Sequence, residues 1–240
     1  MDNALDIATE FLTDAEIESL GKHLDKYKEL HERDAHQNSF LDFVNHVWPS
    51  FITGNHHKIF ADKLERVANG ELKRLIVNMP PRHTKSEFAS YLFPAWVMGK
   101  SPSTKIIQAT HTAELAVGFG RKVKNLLDSD IYRDVFPKME LAKDAKASGR
   151  WSTNEGGEYY AVGVGGALAG RGANLCIIDD PVSEQDALSP TALDNIYEWY
   201  TSGPRQRLQP GGSIIIVMTR WSIRDLTAKV LQKQAEGGAD

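Results

Sequence analysis

Three short stretches of this sequence carry residue types and spacings suited to handling phosphate. The first is Met79-Pro80-Pro81-Arg82-His83-Thr84-Lys85-Ser86, which follows an apolar run and opens a helical one. Backbone N–H groups at a helix start, together with the helix dipole, make an anion site. Within such a turn, walled by Pro81, Arg82, His83 and Thr84, Lys85 can reach the β and γ phosphates of a nucleotide and the Ser86 hydroxyl can ligate Mg²⁺. The spelling departs from G-x-x-x-x-G-K-[ST], because Met79 and Thr84 hold both glycine positions. A basic surface turn is the competing reading.

The second stretch is Leu175-Cys176-Ile177-Ile178-Asp179-Asp180, an apolar strand ending in two carboxylates. Open α/β sheets bind ligands at the carboxyl ends of their strands. In a nucleotide-hydrolysing site of this layout, Asp179 holds Mg²⁺, usually through water, and Asp180 orients and deprotonates the attacking water. The pair can instead cap the following turn, since Asp-Asp-Pro starts turns well. Its place roughly 90 residues after the Lys-Ser turn, on a separate strand, favours the catalytic reading. The third stretch is Thr219-Arg220, just past the apolar run 213–218, where a hydroxyl and a guanidinium can sense a γ-phosphate and signal onward. An ordinary strand-to-loop exit is the alternative.

Positioning these groups requires alternating strands and helices. Apolar runs at 74–79, 104–110, 175–179 and 213–219 predict at least four buried strands, and helical patterns follow them at 87–99, 113–129, near 191–203 and at 226–234. That alternation implies an α/β domain with a central, mostly parallel sheet flanked by helices. The glycine-rich stretch 140–172 predicts a hairpin or pair of short strands and an exposed turn. Residues 1–40 read as an N-terminal helical appendage or lid, with Ile17, Leu20, Leu24, Tyr27 and Leu30 at helical spacing; 41–232 as the core; and 233–240 as a tail or linker.

Composition narrows the classes. The chain has 240 residues, 41% of them hydrophobic, enough for one sizeable core. Its net charge of -4 lacks the overall basic footprint of many DNA binders, so contact with nucleic acid has to be local. Lys122 and Lys124 are candidate DNA contacts, with a solvated basic helix face as the plainer explanation. The single cysteine, Cys176, excludes an internal disulfide and reads as a small buried hydrophobe. No run approaches the roughly 20 apolar residues that span a bilayer, and the N-terminus is acidic where a signal peptide is basic. A protein without membrane attachment is expected.

MPPRHTKS, AELAVGFGRKVK, GGALAGRGANLCIIDDP and IVMTRW, in this order over roughly residues 40 to 230, resemble the large terminase subunits of tailed bacteriophages, in their N-terminal ATPase domain. The resemblance implies a RecA-like (ASCE) P-loop ATPase that hydrolyses ATP with Mg²⁺. It further implies a homo-oligomeric ring, often a pentamer, on the portal protein. Such a ring works with the small terminase subunit and drives double-stranded DNA into a procapsid in the host cytoplasm. The isolated domain is expected to be monomeric.

By that resemblance Lys85 and Ser86 are the Walker A lysine and hydroxyl. Asp179 is the Walker B magnesium residue, Asp180 the catalytic carboxylate and Thr219-Arg220 the coupling motif. Arg171 matches an arginine finger acting in trans, with Arg82 as the competing candidate in cis. Adenine recognition falls to the segment of Trp48, Pro49, His56 and His57, although Trp48 reads equally well as core packing. Family members carry a C-terminal nuclease, and none is expected in this chain. Two rival readings remain: another RecA-like machine such as a helicase, and a non-catalytic nucleotide-binding scaffold module.

Overall fold

The structure, a computed structural model, describes residues 13–145 and 147–238. The first twelve residues of the expected appendage, and the last two of the expected tail, lie outside them.

Among the described residues six strands form one sheet: β1 (Arg74–Asn78), β2 (Lys105–Thr110), β3 (Arg150–Ser152), β4 (Glu158–Gly163), β5 (Ala173–Asp179) and β6 (Leu208–Met218). Their order is β1-β6-β5-β2-β4-β3, parallel throughout except that β3 runs antiparallel to β4. The expected short-strand pair is the β3–β4 hairpin, with Arg150 opposite Tyr160.

Strand alternation sends Ile106, Ile177, Ile215 and Val217 to one core, and Ile107, Ile178, Ile214 and Ile216 to another. Helices α2 (Phe40–Val47), α3 (Asn55–Ala68), α4 (Phe93–Lys100), α5 (Ala113–Leu127) and α6 (Asp130–Val135) cover the first face. Helices α7 (Pro190–Ser202) and α8 (Leu226–Ala235) cover the second. Burial on both faces explains why the strands read as continuous apolar runs.

Helix α1 (Asp14–Asn38) starts with a reciprocal cap, Thr13 and Glu16 each bonding the other's backbone N–H. It buries no residue, and Ile17, Leu20, Leu24, Tyr27 and Leu30 stay exposed. Polar links near its end hold it: Arg33 Nε donates to Asp134 O, and Trp96 Nε1 to His36 O.

The helical run 87–99 is not one regular α-helix. Glu87–Leu92 forms a π-helical turn, and the Phe93 N–H bonds the Phe88 carbonyl, five residues back. Pro94 gives the reason, because it has no N–H and its ring crowds the carbonyl of Ser90.

Candidate active site

Parallel pairing brings three strand ends together. Asn78 of β1 lies opposite Met218 of β6, and Asp179 of β5 lies opposite Val217. The 79–86 turn, the two carboxylates and Thr219 therefore emerge side by side at the carboxyl edge of the sheet, where sequence reasoning puts them.

The turn is held in an unusual backbone. Arg82 and Thr84 adopt φ of 62° and 60°, and Asp180 adopts 41°. Left-handed geometry costs a non-glycine residue about 1–2 kcal/mol, and Thr84 adopts it where the nucleotide-binding pattern has glycine. A chain of hydrogen bonds compensates. The Gly54 N–H donates to His57 Nδ1 (2.8 Å), His57 Nε2 meets Thr84 Oγ1 (2.6 Å), and that hydroxyl donates to His83 O (2.6 Å). Because Nδ1 accepts, Nε2 carries the proton. Burial first, then repulsion from His56 and His83, holds the His57 ring below the ordinary histidine range and keeps it neutral.

Thr84 is thus a glycine substitute secured by its side chain. Thr84→Ala keeps the strain and strands a buried His57 N–H, so it is expected to destabilise by about 1–3 kcal/mol. Thr84→Gly relieves the strain and is expected to cost less than alanine, reversing the usual order of these two residues. Denaturant midpoints of the two variants decide it, and alanine proving the milder would contradict the arrangement.

A helix that begins at Lys85 leaves its first N–H groups without intrahelical partners, open to an anion. Lys85, 5% exposed, places Nζ 2.8 Å from Asp180 Oδ2. The other oxygen of Asp180 accepts the Thr219 N–H at 2.7 Å. Asp179 is 2% exposed and accepts from Ser86 Oγ (3.1 Å) and Ser90 Oγ (2.7 Å). Burial, reinforced by the neighbouring Asp180 charge, pushes the Asp179 carboxyl up to about 6 against the hydroxyls of Ser90 and Ser86 and the Lys85 ammonium. A buried carboxylate beside a serine hydroxyl is a fitting partial donor set for a hard cation that takes its other ligands from water and phosphate.

Ser90 and Gln108 are functional candidates that sequence reading missed. Gln108 Nε2 donates to Ser90 Oγ at 3.0 Å, and both residues are fully buried. The available signal was polarity out of place: a serine in the apolar helix 87–99 and a glutamine inside strand β2. Ser90→Ala removes the shorter of the two hydroxyl bonds to Asp179 and leaves the Gln108 amide without its acceptor. For the divalent cation proposed below to be held by Ser86 and Asp179, it is expected to weaken affinity roughly 10–100-fold, measured by metal titration in the presence of nucleotide. An unchanged affinity would remove Ser90 from the site.

The remaining candidates fall into place around this cluster. Arg82 and His83 are exposed on the turn, and His83 Nδ1 meets Pro81 O at 2.9 Å. Thr219 Oγ1 donates to Met79 O at 3.4 Å, tying β6 to the turn. Arg220 does not reach toward the carboxylates. Its Nε donates at 2.7 Å to Asp225, fully buried, whose other oxygen caps α8 through the Ala228 N–H. Asp225, also missed from sequence, thereby links the strand exit to a helix.

Trp48 packs on Phe51 (5.0 Å between ring centres), which contacts His57 and Phe88. Pro49 and His56 stay exposed beside it. The structure sets Arg171 apart. It precedes β5, whose length puts it roughly 20 Å from Asp179 at about 3.3 Å per residue. There its guanidinium lies over Tyr160 and 3.8 Å from Glu158. Arg171 cannot serve the site of its own chain. Lys122 pairs with Glu87 at 2.8 Å, and Cys176 is fully buried, its thiol pushed up to about 12 by burial.

No protein-family model and no curated protein matches the sequence. Among solved structures, the chain is similar to the crystal structure of the HK97 bacteriophage large terminase, with a TM-score of 0.51 and 13% identity. The match covers 78% of this chain and 37% of that one, so the chain spans little more than a third of its structural neighbour. At this identity the likeness is one of fold: a mixed α/β, terminase-like architecture around a six-stranded, mostly parallel sheet.

Proposed function

We propose that this chain is an ATP-hydrolysing motor domain of the P-loop class that drives double-stranded DNA into a viral procapsid. The observation that carries the reading is the convergence of Lys85, Ser86, Asp179, Asp180 and Thr219 at one sheet edge, with Lys85 2.8 Å from Asp180 and Ser86 3.1 Å from Asp179. The terminase-like fold supports it.

In this reading the helix start at Lys85 and the Lys85 ammonium hold the β and γ phosphates. Ser86 and Asp179 would hold Mg²⁺, which would supply positive charge against that developing on the phosphates. Lys85 moves from Asp180 to the nucleotide, freeing an Asp180 oxygen to take the proton of the attacking water. Thr219, bonded to both Asp180 and the turn, reports that exchange, and Arg220 passes it to α8 through Asp225. Arg171 acts on a neighbouring subunit in a homo-oligomeric ring, proposed to sit on the portal protein and work with the small terminase subunit in the host cytoplasm.

Phosphate release from ATP, measured on concentrated protein beside Lys85→Ala and Asp180→Ala, tests the proposal. Turnover no higher than in those variants would leave a nucleotide-binding module without catalysis. Activity is expected to rise more than linearly with protein concentration. Mixed Arg171→Ala and Lys85→Ala chains are expected to regain part of it, because each supplies what the other lacks.

A further inference from the structure

The opposite edge of the sheet carries a second cluster of cations. A cavity of about 480 Å³ opens at the amino ends of β1, β2 and β5, and Lys73, Lys100 and Lys105 line it with Ser103, Asn174 and Gln209. No aspartate or glutamate is among its lining residues. In a chain of net charge -4, that is a local reversal of sign.

Each lysine is fixed differently. Lys73 Nζ donates to Gly211 O at 2.8 Å, which positions the ammonium without neutralising it. Lys105 Nζ is 2.9 Å from Glu158, a carboxylate beside the cavity that also faces Arg171. Lys100 Nζ lies 4.4 Å from the centre of the Trp96 ring and has no carboxylate within ion-pair distance among the described residues. Partial burial draws the Lys100 ammonium below the ordinary lysine range, and the field of Glu65 opposes that only in part. Glu65 itself accepts the Phe40 N–H at 2.7 Å. Asn174 donates to Gln209 Oε1 at 3.0 Å, leaving the Gln209 NH₂ as a donor beside the serine hydroxyls.

From this geometry we infer that the amino-edge cavity is a second anion site, built for a phosphate-bearing ligand with more than one negative charge. Lysines act on phosphate as point charges, and hydroxyl and amide donors complete the coordination. The volume suits a small polyphosphate or successive phosphodiesters of a nucleic acid strand. The site is separate from the 79–86 turn, because the length of β5 sets the two edges roughly 20 Å apart.

Pyrophosphate titration by calorimetry tests the inference, with the wild-type chain expected to show two sites and Lys85→Ala one. In the Lys85→Ala background, Lys73→Gln with Lys100→Gln is expected to weaken the remaining site at least tenfold. Lys100→Arg should keep it, and thermal melts confirm that each variant is folded. Should Lys85→Ala fail to fold, the wild-type count falling from two sites to one on Lys73→Gln with Lys100→Gln gives the same answer. A short duplex DNA, titrated in parallel across salt concentrations, identifies the source. Weakening with a shallower salt dependence means the site reads a nucleic acid backbone, whereas duplex binding unchanged beside lost pyrophosphate means a free phosphate compound. Pyrophosphate and duplex binding both unaffected by the two glutamines would overturn the inference.

Discussion

Asp180→Asn is expected to lower ATP turnover by roughly 10²–10⁴-fold, the range for removal of a positioned general base. Asp180 joins three parts of the proposed machinery: Oδ2 holds Lys85 at 2.8 Å, Oδ1 accepts the Thr219 N–H at 2.7 Å, and its own N–H continues the ladder to Val217 O at 2.8 Å. Asparagine can keep the last two. It loses basicity, and it sets an NH₂ or a neutral oxygen opposite the Lys85 ammonium. Release of Lys85 then favours the phosphates, so nucleotide affinity is expected to hold or tighten while kcat falls.

That split separates a base from a structural strut, whose loss would raise KM together with any fall in kcat. Lys85→Ala provides the contrast, because it removes a phosphate contact and leaves two adjacent carboxylates without their cation, so affinity falls as well. Turnover of Asp180→Asn within tenfold of wild type would dismiss Asp180 as the base and transfer the role to a water network or another residue.

How much of this is legible in the sequence depends on whether a residue's role is local. The strand ends are legible, because a buried parallel strand shows as an apolar run and a charged residue at its end has to leave the core. Asp179, Asp180 and Thr219 therefore fall together from the apolar runs alone, once those runs are assigned to one sheet. The conformation of the turn is not legible. Nothing in Thr84 as a letter announces φ of 60°, and the histidine that secures it lies 27 positions earlier in the chain. The resemblance links His57 to adenine; both of its ring nitrogens are engaged with Gly54 and Thr84, which adds a role in bracing the turn.

Ser90 is hidden by a different effect. A regular helix through 87–99 is the natural reading, and the π-helical turn ahead of Pro94 resets which side chains face the sheet. The apolar stripe of α1 shows the reverse failure: periodicity places the helix correctly, but Ile17, Leu20, Leu24, Tyr27 and Leu30 meet no core. Amphipathic spacing predicts a helix, whereas burial depends on what the rest of the chain brings to it.

Asp179→Asn is expected to stabilise the protein without ligands at pH 8 while abolishing the proposed metal-dependent activity. Burial raises the Asp179 carboxyl from its ordinary 3.8 to about 6, so the native state binds the proton more tightly than the unfolded chain does. The cost of ionising it in place is absent below about pH 3.8, grows between 3.8 and 6, and is complete above 6. At about 1.4 kcal/mol per pKa step, that cost is roughly 3 kcal/mol at neutral pH. Asparagine removes the charge. Its NH₂ has to share acceptors with the Gln108 amide at Ser90, so part of the gain is lost and about 1–3 kcal/mol is expected to remain. For a chain of this size that raises the melting temperature by roughly 3–10 °C. The gain should vanish at pH 4, where wild-type Asp179 is protonated in the native state. Addition of Mg²⁺ and nucleotide should reverse the ranking, since ligand bound to the native state stabilises only the chain that can hold it. Thermal melts of both chains at pH 4 and pH 8, with and without ligand, measure all three effects. Destabilisation at pH 8 would mean that the neighbouring hydroxyls and Lys85 already compensate the buried charge. The expected result means that this edge of the sheet, with left-handed Arg82, Thr84 and Asp180 around an ionised Asp179, is held at a local cost in stability that the rest of the fold carries.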